Sequence, residues 1–520
     1  MKEIKKILLL FGLVFSTFSC TEEFLEVAPK DKLSASVFFK TPADAVLASN
    51  GIYNTLYGQI GAYWDECDMY TDNATYTFGN AGKVFGNGTV NPSSERISNF
   101  WTEFYKRVRA TNVFLVNIED VTGDPDLVTR LTAEVRFIRA MSYMFLTFNW
   151  GDVPLVLEPL SLETSKQPRN AQADVLAVIH ADLDFAIANL PWSQDDSGRV
   201  TKGAAMAYKA RAYLYAGDHN SAAKAAKDLM DSAAGYDLYP DLGTLWWPEN
   251  EHNEEVIFDL EYTEGAARPN VHRYNITFSP PSLSGWTAVA PTQAFINSFE
   301  GSDGLPIDES EVYDAANPYE NRDPRFYKFI LYNGADIFGH AITTDPSASN
   351  PDRIGGGNST TSGYWIRKLY TPDYVPGNGW SSHQNTVFMR FAEVLLTYAE
   401  AQNEDVGPDV SVYDAINRVR DRAGMPDLPA NLGQNEMRER IRNERRIELC
   451  FENSRLYDIR RWRIAEDVLN GTTQGRDFDG NIFDVESRVF DAGKNYLWPI
   501  PQSEIDLIGP DILTQNPGFQ

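Results

Sequence analysis

The sequence is poor in cysteine, in histidine and in positive charge, and each shortage narrows what the chain does. Three cysteines in 520 residues, Cys20, Cys67 and Cys450, supply no disulfide framework, so the fold must rest on a packed core. Material for one is ample, with 43% of residues hydrophobic and 12% aromatic. The six histidines, His180, His219, His252, His272, His340 and His383, include no pair at helical spacing, and His252-Asn253-Glu254-Glu255 is not a zincin helix. Lys and Arg number 46 against 73 Asp and Glu, a formal net charge of −27 that excludes nucleic acid as a partner. At external salt this acidity reaches about one Debye length and serves solubility more than recognition of a cationic ligand.

Long apolar runs are scarce too. The one at the start, Ile7 to Phe18, follows the net-positive Met1-Lys2-Glu3-Ile4-Lys5-Lys6 and stops at Ser19-Cys20, the order of a secretion signal. It is too short to span a bilayer comfortably and leads into polar Thr21-Glu22-Glu23. Its end resembles a bacterial lipobox, in which the Cys20 thiol takes a diacylglycerol and becomes the mature N-terminus. Each buried methylene contributes about 0.8 kcal/mol, so several acyl chains anchor stably where one holds only marginally. The expected organisation is a removed signal peptide over 1–19, a lipidated tether over 20–40 and a single domain over 41–520.

Helical periodicity dominates that domain. Thr41 caps and Pro42 opens a helix with the stripe Val46, Leu47, Ile52 and Leu56. Amphipathic stretches follow over 100–118, 127–150 and 173–190. In 203–230, Ala204, Ala207, Ala210 and Leu214 form one face, Gly217-Asp218 a turn, and Ala222, Ala226 and Leu229 a second face. Small residues at helix-pair spacing resemble a tetratricopeptide repeat. From about 240 to 384 short apolar runs are broken by Gly, Pro, Asn and Ser, and helices return over 387–403, 412–423 and 434–469. The fold class is therefore mainly α: a tetratricopeptide-like helical repeat part over 41–235, a loop-rich irregular insert with a few short strands over 236–386, and C-terminal helices and tail over 387–520.

Motifs for catalysis are wanting. The run Gly355-Gly356-Gly357 lacks the Lys-Ser/Thr of a phosphate loop and reads as a turn. Asp65, Glu66, Asp68 and Asp72 could offer oxygens to calcium but have neither the glycine nor the spacing of an EF-hand, so a solvated loop is expected and no cofactor is assigned. Glu444, Glu448, Glu452 and Arg455, with Arg445, Asp458 and Arg461, read as a salt-bridged helix corner. A glycosidase's carboxylate pair is defined by spatial separation, which sequence does not give.

Several segments in order resemble the SusD/RagB family of outer-membrane nutrient-binding lipoproteins. They are Cys20 to Leu25, Phe38-Phe39-Lys40-Thr41, Phe299-Glu300 with Asp303-Gly304, Arg322 to Phe326, Asn443 to Trp462, Tyr496 to Pro501 and Gln515 to Phe519. Asn453 stands where members often carry Gly, and both residues tolerate a left-handed backbone. The resemblance implies a non-enzymatic, surface-exposed, lipid-anchored subunit that captures oligo- or polysaccharide and hands it to a SusC-like TonB-dependent transporter. Capture of oligopeptides, a surface glycosidase and a purely structural lipoprotein are the alternatives. It also implies a site formed by the loop after the first helix and the insert. Sugar rings call for aromatic faces and a few orienting polar groups. The first segment offers Trp64, Tyr70, Asp72, Asn73, Tyr76 and Phe78, the second Trp286 and Trp380, with Trp286, Tyr76, Phe78 and Trp380 expected to form a shallow platform. Trp101, Trp150 and Trp462 lie in helix patterns and are expected in the core.

Overall fold

The computed structural model describes residues 39–57, 67–263, 274–372 and 383–519. Cys20, Trp64, Asp65, Glu66 and Trp380 lie outside them. Ten helices carry the scaffold: α1 Pro42–Tyr53, α2 Glu95–Asn117, α3 Pro125–Trp150, α4 Gln172–Asn189, α5 Lys202–Ala216, α6 His219–Met230, α7 Phe391–Val406, α8 Val410–Ala423, α9 Gln434–Glu448 and α10 Arg455–Arg461.

Local chemistry fixes their ends. Thr41 closes a capping box on α1: its Oγ1 accepts from the Asp44 amide, while its own amide donates to Asp44 Oδ2 at 2.8 Å. The buried face of α1 is Ala45, Ser49 and Ile52, continued by Leu56, and Leu47, expected inward, is 61% exposed. Gly217 ends α5 in the left-handed region at φ 79°, and Asp218 at once caps α6 through the Ser221 amide.

Each helix from α2 to α6 packs on the next, the close approach of α5 and α6 resting on buried Ala204, Ala207, Ala210, Ala222 and Ala226. Helix α6 then packs on α7, although 160 residues separate them in the chain, and α7 carries α8 and α9. The expected tetratricopeptide-like stack is present, and the described residues between Met230 and Phe391 leave it and return. Trp101 and Trp150 are in the core, where Trp150 Nε1 donates to the Pro499 carbonyl at 2.8 Å. Trp462 is only half-buried and donates its Nε1 to Glu400.

Two helix expectations change. Residues Thr386–Arg390 form a strand paired antiparallel with Val256–Leu260, and the helix starts at Phe391. A short apolar run such as Val387-Phe388-Met389 carries no period that separates strand from helix. The stretch 434–469 breaks at Phe451 and Asn453, both at positive φ (61° and 65°), and again at Arg463. The insert is more ordered than its composition suggests, with short two-stranded ladders and a small core of its own from Leu283, Leu331, Ile337, Ile342, Trp365 and Tyr370.

The salt-bridged corner is present, and most of its partners come from across the fold. Glu448 meets Arg325 at 3.1 Å, Arg390 at 2.6 Å and also Arg422, while Arg325 reaches Glu444 and Asp323. Arg420 bridges Glu300 and Glu444, each at 3.0 Å, and Arg390 adds Glu255 and Glu452. Arg445 and Arg461 share Glu400 and Asp458. Arg325, Glu444, Glu448, Glu255 and Arg390 are all buried. Insert residues Glu255, Glu300, Asp323 and Arg325 thus lock onto arginines and glutamates at the roots of α7 to α9.

Candidate ligand platform

The loop after α1 and the insert meet in a short ladder: β1 Ala74–Tyr76 pairs antiparallel with β2 Val289–Pro291. Pairing runs beyond both ends. The Thr77 amide donates to the Ala288 carbonyl at 3.0 Å, and Thr292 donates its amide to Asn73 O and its hydroxyl to Asp72 O. Because Tyr76 faces Val289, two further steps bring Phe78 level with Thr287, beside Trp286. Tyr76 and Phe78 are half-buried with rings edge to face, centroids 5.9 Å apart, and Trp286 is half-buried as well. Tyr76 and Phe78 therefore share one face at one end of this ladder, and Trp286 lies three residues before its partner strand.

Trp286 is presented by an unusually constrained turn. Ser284 and Thr287 both adopt positive φ, 62° and 44°. For a β-branched residue such as Thr287 this costs on the order of 1–3 kcal/mol and persists only where neighbours enforce it. They do: the Thr287 amide and hydroxyl both donate to Ser279 O, and its Oγ1 accepts from Trp365 Nε1 at 3.0 Å. Gly285 passes so close to Ser279 that a Cβ would lie 2.0 Å from its carbonyl oxygen. The Trp286 amide donates to Ile276 O at 2.6 Å. Sequence reasoning found Trp286 and missed the turn; the Ser284-Gly285 pair was its signal.

Tyr70, Asp72 and Asn73, expected to touch ligand, are buried and form the mount behind the face. Arg455 grips Asp72 with two bonds of 2.9 Å and Arg446 reaches it at 2.7 Å. Burial opposes ionisation of Asp72, but the two guanidiniums outweigh it and hold the carboxyl well below the usual range. Asn73 accepts from Arg446 Nε and donates to Asp68, whose second donor is the Phe451 amide. Burial raises Asp68 despite these bonds. Tyr70 stacks at 4.4 Å on Phe85 and accepts from Arg96. The solvated acidic loop expected here is thus corrected at Asp68 and Asp72, which are desolvated and partnered because the corner between α9 and α10 needs their charge and bonds.

Scaffold and insert define a class: a tetratricopeptide-like helical-repeat fold interrupted by a loop-rich insert that pairs with the loop after α1. Comparison with known proteins makes this specific. The SusD family model matches residues 254–519, and a second model, described as starch-binding associating with outer membrane, matches residues 23–214. The chain is 26% identical over 516 residues to the SusD-like protein P25 of Formosa agariphila, covering 90% of this chain and 91% of that protein. A solved SusD-like carbohydrate-binding protein of Bacteroides fragilis superposes with TM-score 0.83 at 28% identity, covering 91% of this chain and 99% of the other. A laminarin-binding SusD-like protein gives TM-score 0.72 at 25% identity, covering 92% and 100%. The chain belongs to the SusD family. No helix among the described residues is long and apolar enough to cross a membrane.

Proposed function

We propose that this protein is a cell-surface lipoprotein, anchored through Cys20, that captures oligo- or polysaccharide and passes it to a SusC-like TonB-dependent transporter. The observation that carries the reading is the partly exposed ring pair Tyr76 and Phe78 at the end of a ladder bolted by Asp72 to the charged corner, with half-buried Trp286 three residues before the partner strand. Aromatic faces of this kind stack on sugar C–H faces, and a rigid mount lowers the ordering cost of binding. The carbohydrate- and laminarin-binding relatives support the ligand class. Trp64 and Trp380 are proposed to extend the same platform. Its role is binding, with no reaction assigned.

Modest energy per ring gives micromolar to millimolar affinity for single glycan chains. The test is a glycan array to find the ligand, with a peptide panel beside it, followed by calorimetry on Trp286→Ala. Affinity should fall about 10-fold or more; unchanged affinity removes Trp286 from the site, and peptide binding with no glycan binding overturns the ligand class. Co-purification with a large outer-membrane barrel tests the transporter, and retention of Cys20→Ala in the membrane fraction defeats the lipid anchor.

A further inference from the structure

Screening histidines by helical spacing finds no metal ligands, but the fold makes a cluster that such spacing does not describe. Asp259 and Glu261, two apart at the end of the Val256–Leu260 strand, lie on the same side of it. A turn at Pro248–Asn250 folds back so that His252 reaches both, itself at positive φ of 58°. One ligand atom each from His252, Asp259 and Glu261 lie within 4.8 Å of one another.

Three features set this cluster apart. First, His252 Nε2 is 3.1 Å from Glu261 Oε1, yet that buried oxygen makes no hydrogen bond. This separation is compatible with two ligands of one ion, since donors about 2.1 Å from a metal sit about 3.0–3.4 Å apart along a coordination edge. Second, Asp259 is buried, 5% exposed, and the other ring nitrogen of His252, Nδ1, lies 3.8 Å from it. Among the described residues no Lys or Arg forms an ion pair with Glu251, Asp259 or Glu261, whereas buried Glu134, Asp182, Glu393, Glu444 and Glu448 each meet an arginine. Third, Asp259 is held from behind: Asn385 donates its side-chain amide to it at 2.9 Å and fixes its own backbone by donating to Glu251 at 2.7 Å. Outer-shell bonds of this kind orient metal-binding carboxylates.

We propose that His252, Asp259 and Glu261 bind a divalent transition-metal ion of the zinc class, with water completing the shell. One imidazole among carboxylates favours zinc over calcium or magnesium, which take oxygen donors throughout. All three ligands come from the strand region that leaves the helical stack, and Asn385, just before the strand that returns to it, reaches the site through its hydrogen bond to Asp259.

The test is calorimetric titration of the chelator-stripped mature protein with zinc chloride at pH 7.5, with melting curves and elemental analysis. Expected are one zinc per chain at micromolar affinity or tighter, a zinc-dependent rise in Tm, and at least 10-fold weaker binding in His252→Ala and in Glu261→Gln. Glu261 is 34% exposed at its side chain, so Glu261→Gln should keep the metal-free Tm and separate lost ligation from misfolding. Trp286→Ala should bind zinc as wild type does. Absence of zinc binding up to 1 mM, equal binding by His252→Ala, or tighter binding of calcium than zinc each overturns the proposal.

Discussion

Replacing Glu448 by Gln keeps the shape of the side chain and removes one charge from the most crowded point of the ion network. Arg325, Arg390 and Arg422 all converge on this carboxylate, which is fully buried. Each keeps another acidic partner, Asp323 and Glu444 for Arg325, Glu255 and Glu452 for Arg390, and Glu255 for Arg422. The network therefore stays in place but holds one positive charge too many away from water. Breaking a buried ion pair from one side costs about 3–5 kcal/mol, most of it from the charge left uncompensated. Unfolding entropy of about 2.1 cal/mol/K per residue, over 520 residues, gives about 1.1 kcal/mol/K. Glu448→Gln should thus lower Tm by about 3–5 °C in a calorimetric melt at pH 7. The control is Glu103→Gln, whose partner Lys106 is 66% exposed and whose pair is worth under about 1 kcal/mol. A Glu448→Gln melt within 1 °C of wild type, or no different from the control, refutes the view that this corner holds the insert to the scaffold.

Two further outcomes follow from the same structure. Gly285→Ala drives a methyl group to 2.0 Å from Ser279 O, so the turn must shift; we expect a loss of about 1–3 kcal/mol in denaturant unfolding and weaker glycan binding, and wild-type affinity would show that the turn does not aim Trp286. Burial opposes ionisation of Glu400, but Arg461 and Arg445 outweigh it and bring its pKa from 4.5 to about 2. The native state then binds fewer protons than the unfolded chain, so this stabilisation is full above about pH 4.5 and fades as pH falls toward 2. Melts between pH 5 and pH 3 should show Tm falling with pH less steeply in Glu400→Gln than in wild type; equal slopes would contradict the assignment.

Helices were legible wherever one face was buried over several turns, as in α2 to α6, because a 3.6-residue period survives in the residues themselves. Leu47 and the strand at Val387 escaped for opposite reasons: one is an apolar residue on the wet side of a short helix, the other a run buried on both sides and so without a period. At the platform, the aromatic character of Tyr76, Phe78 and Trp286 was visible, while the roles of Tyr70, Asp72 and Asn73 were not. Polar residues beside aromatics suggest an open site; what buries them here is Arg446 and Arg455, more than 370 positions away in the chain. Long-range charge pairing leaves no local trace. Asn453 came nearer to being legible, since the resemblance sets it where members often carry Gly and both residues tolerate the left-handed backbone it adopts.

Because α6 and α7 are packed neighbours, the two points where the insert joins the scaffold lie side by side. An arrangement of this sort behaves as a socket: one cassette of loops could be exchanged for another, and with it the cargo, while the stack beneath folds unchanged. The fit has a condition attached. Any cassette must arrive with its own equivalents of Glu255, Glu300, Asp323 and Arg325, or the arginines and glutamates at the socket's rim are stranded without partners. A chimera that swaps only the outer loops and keeps those four residues should fold, and this offers a direct route to reprogramming what the protein captures.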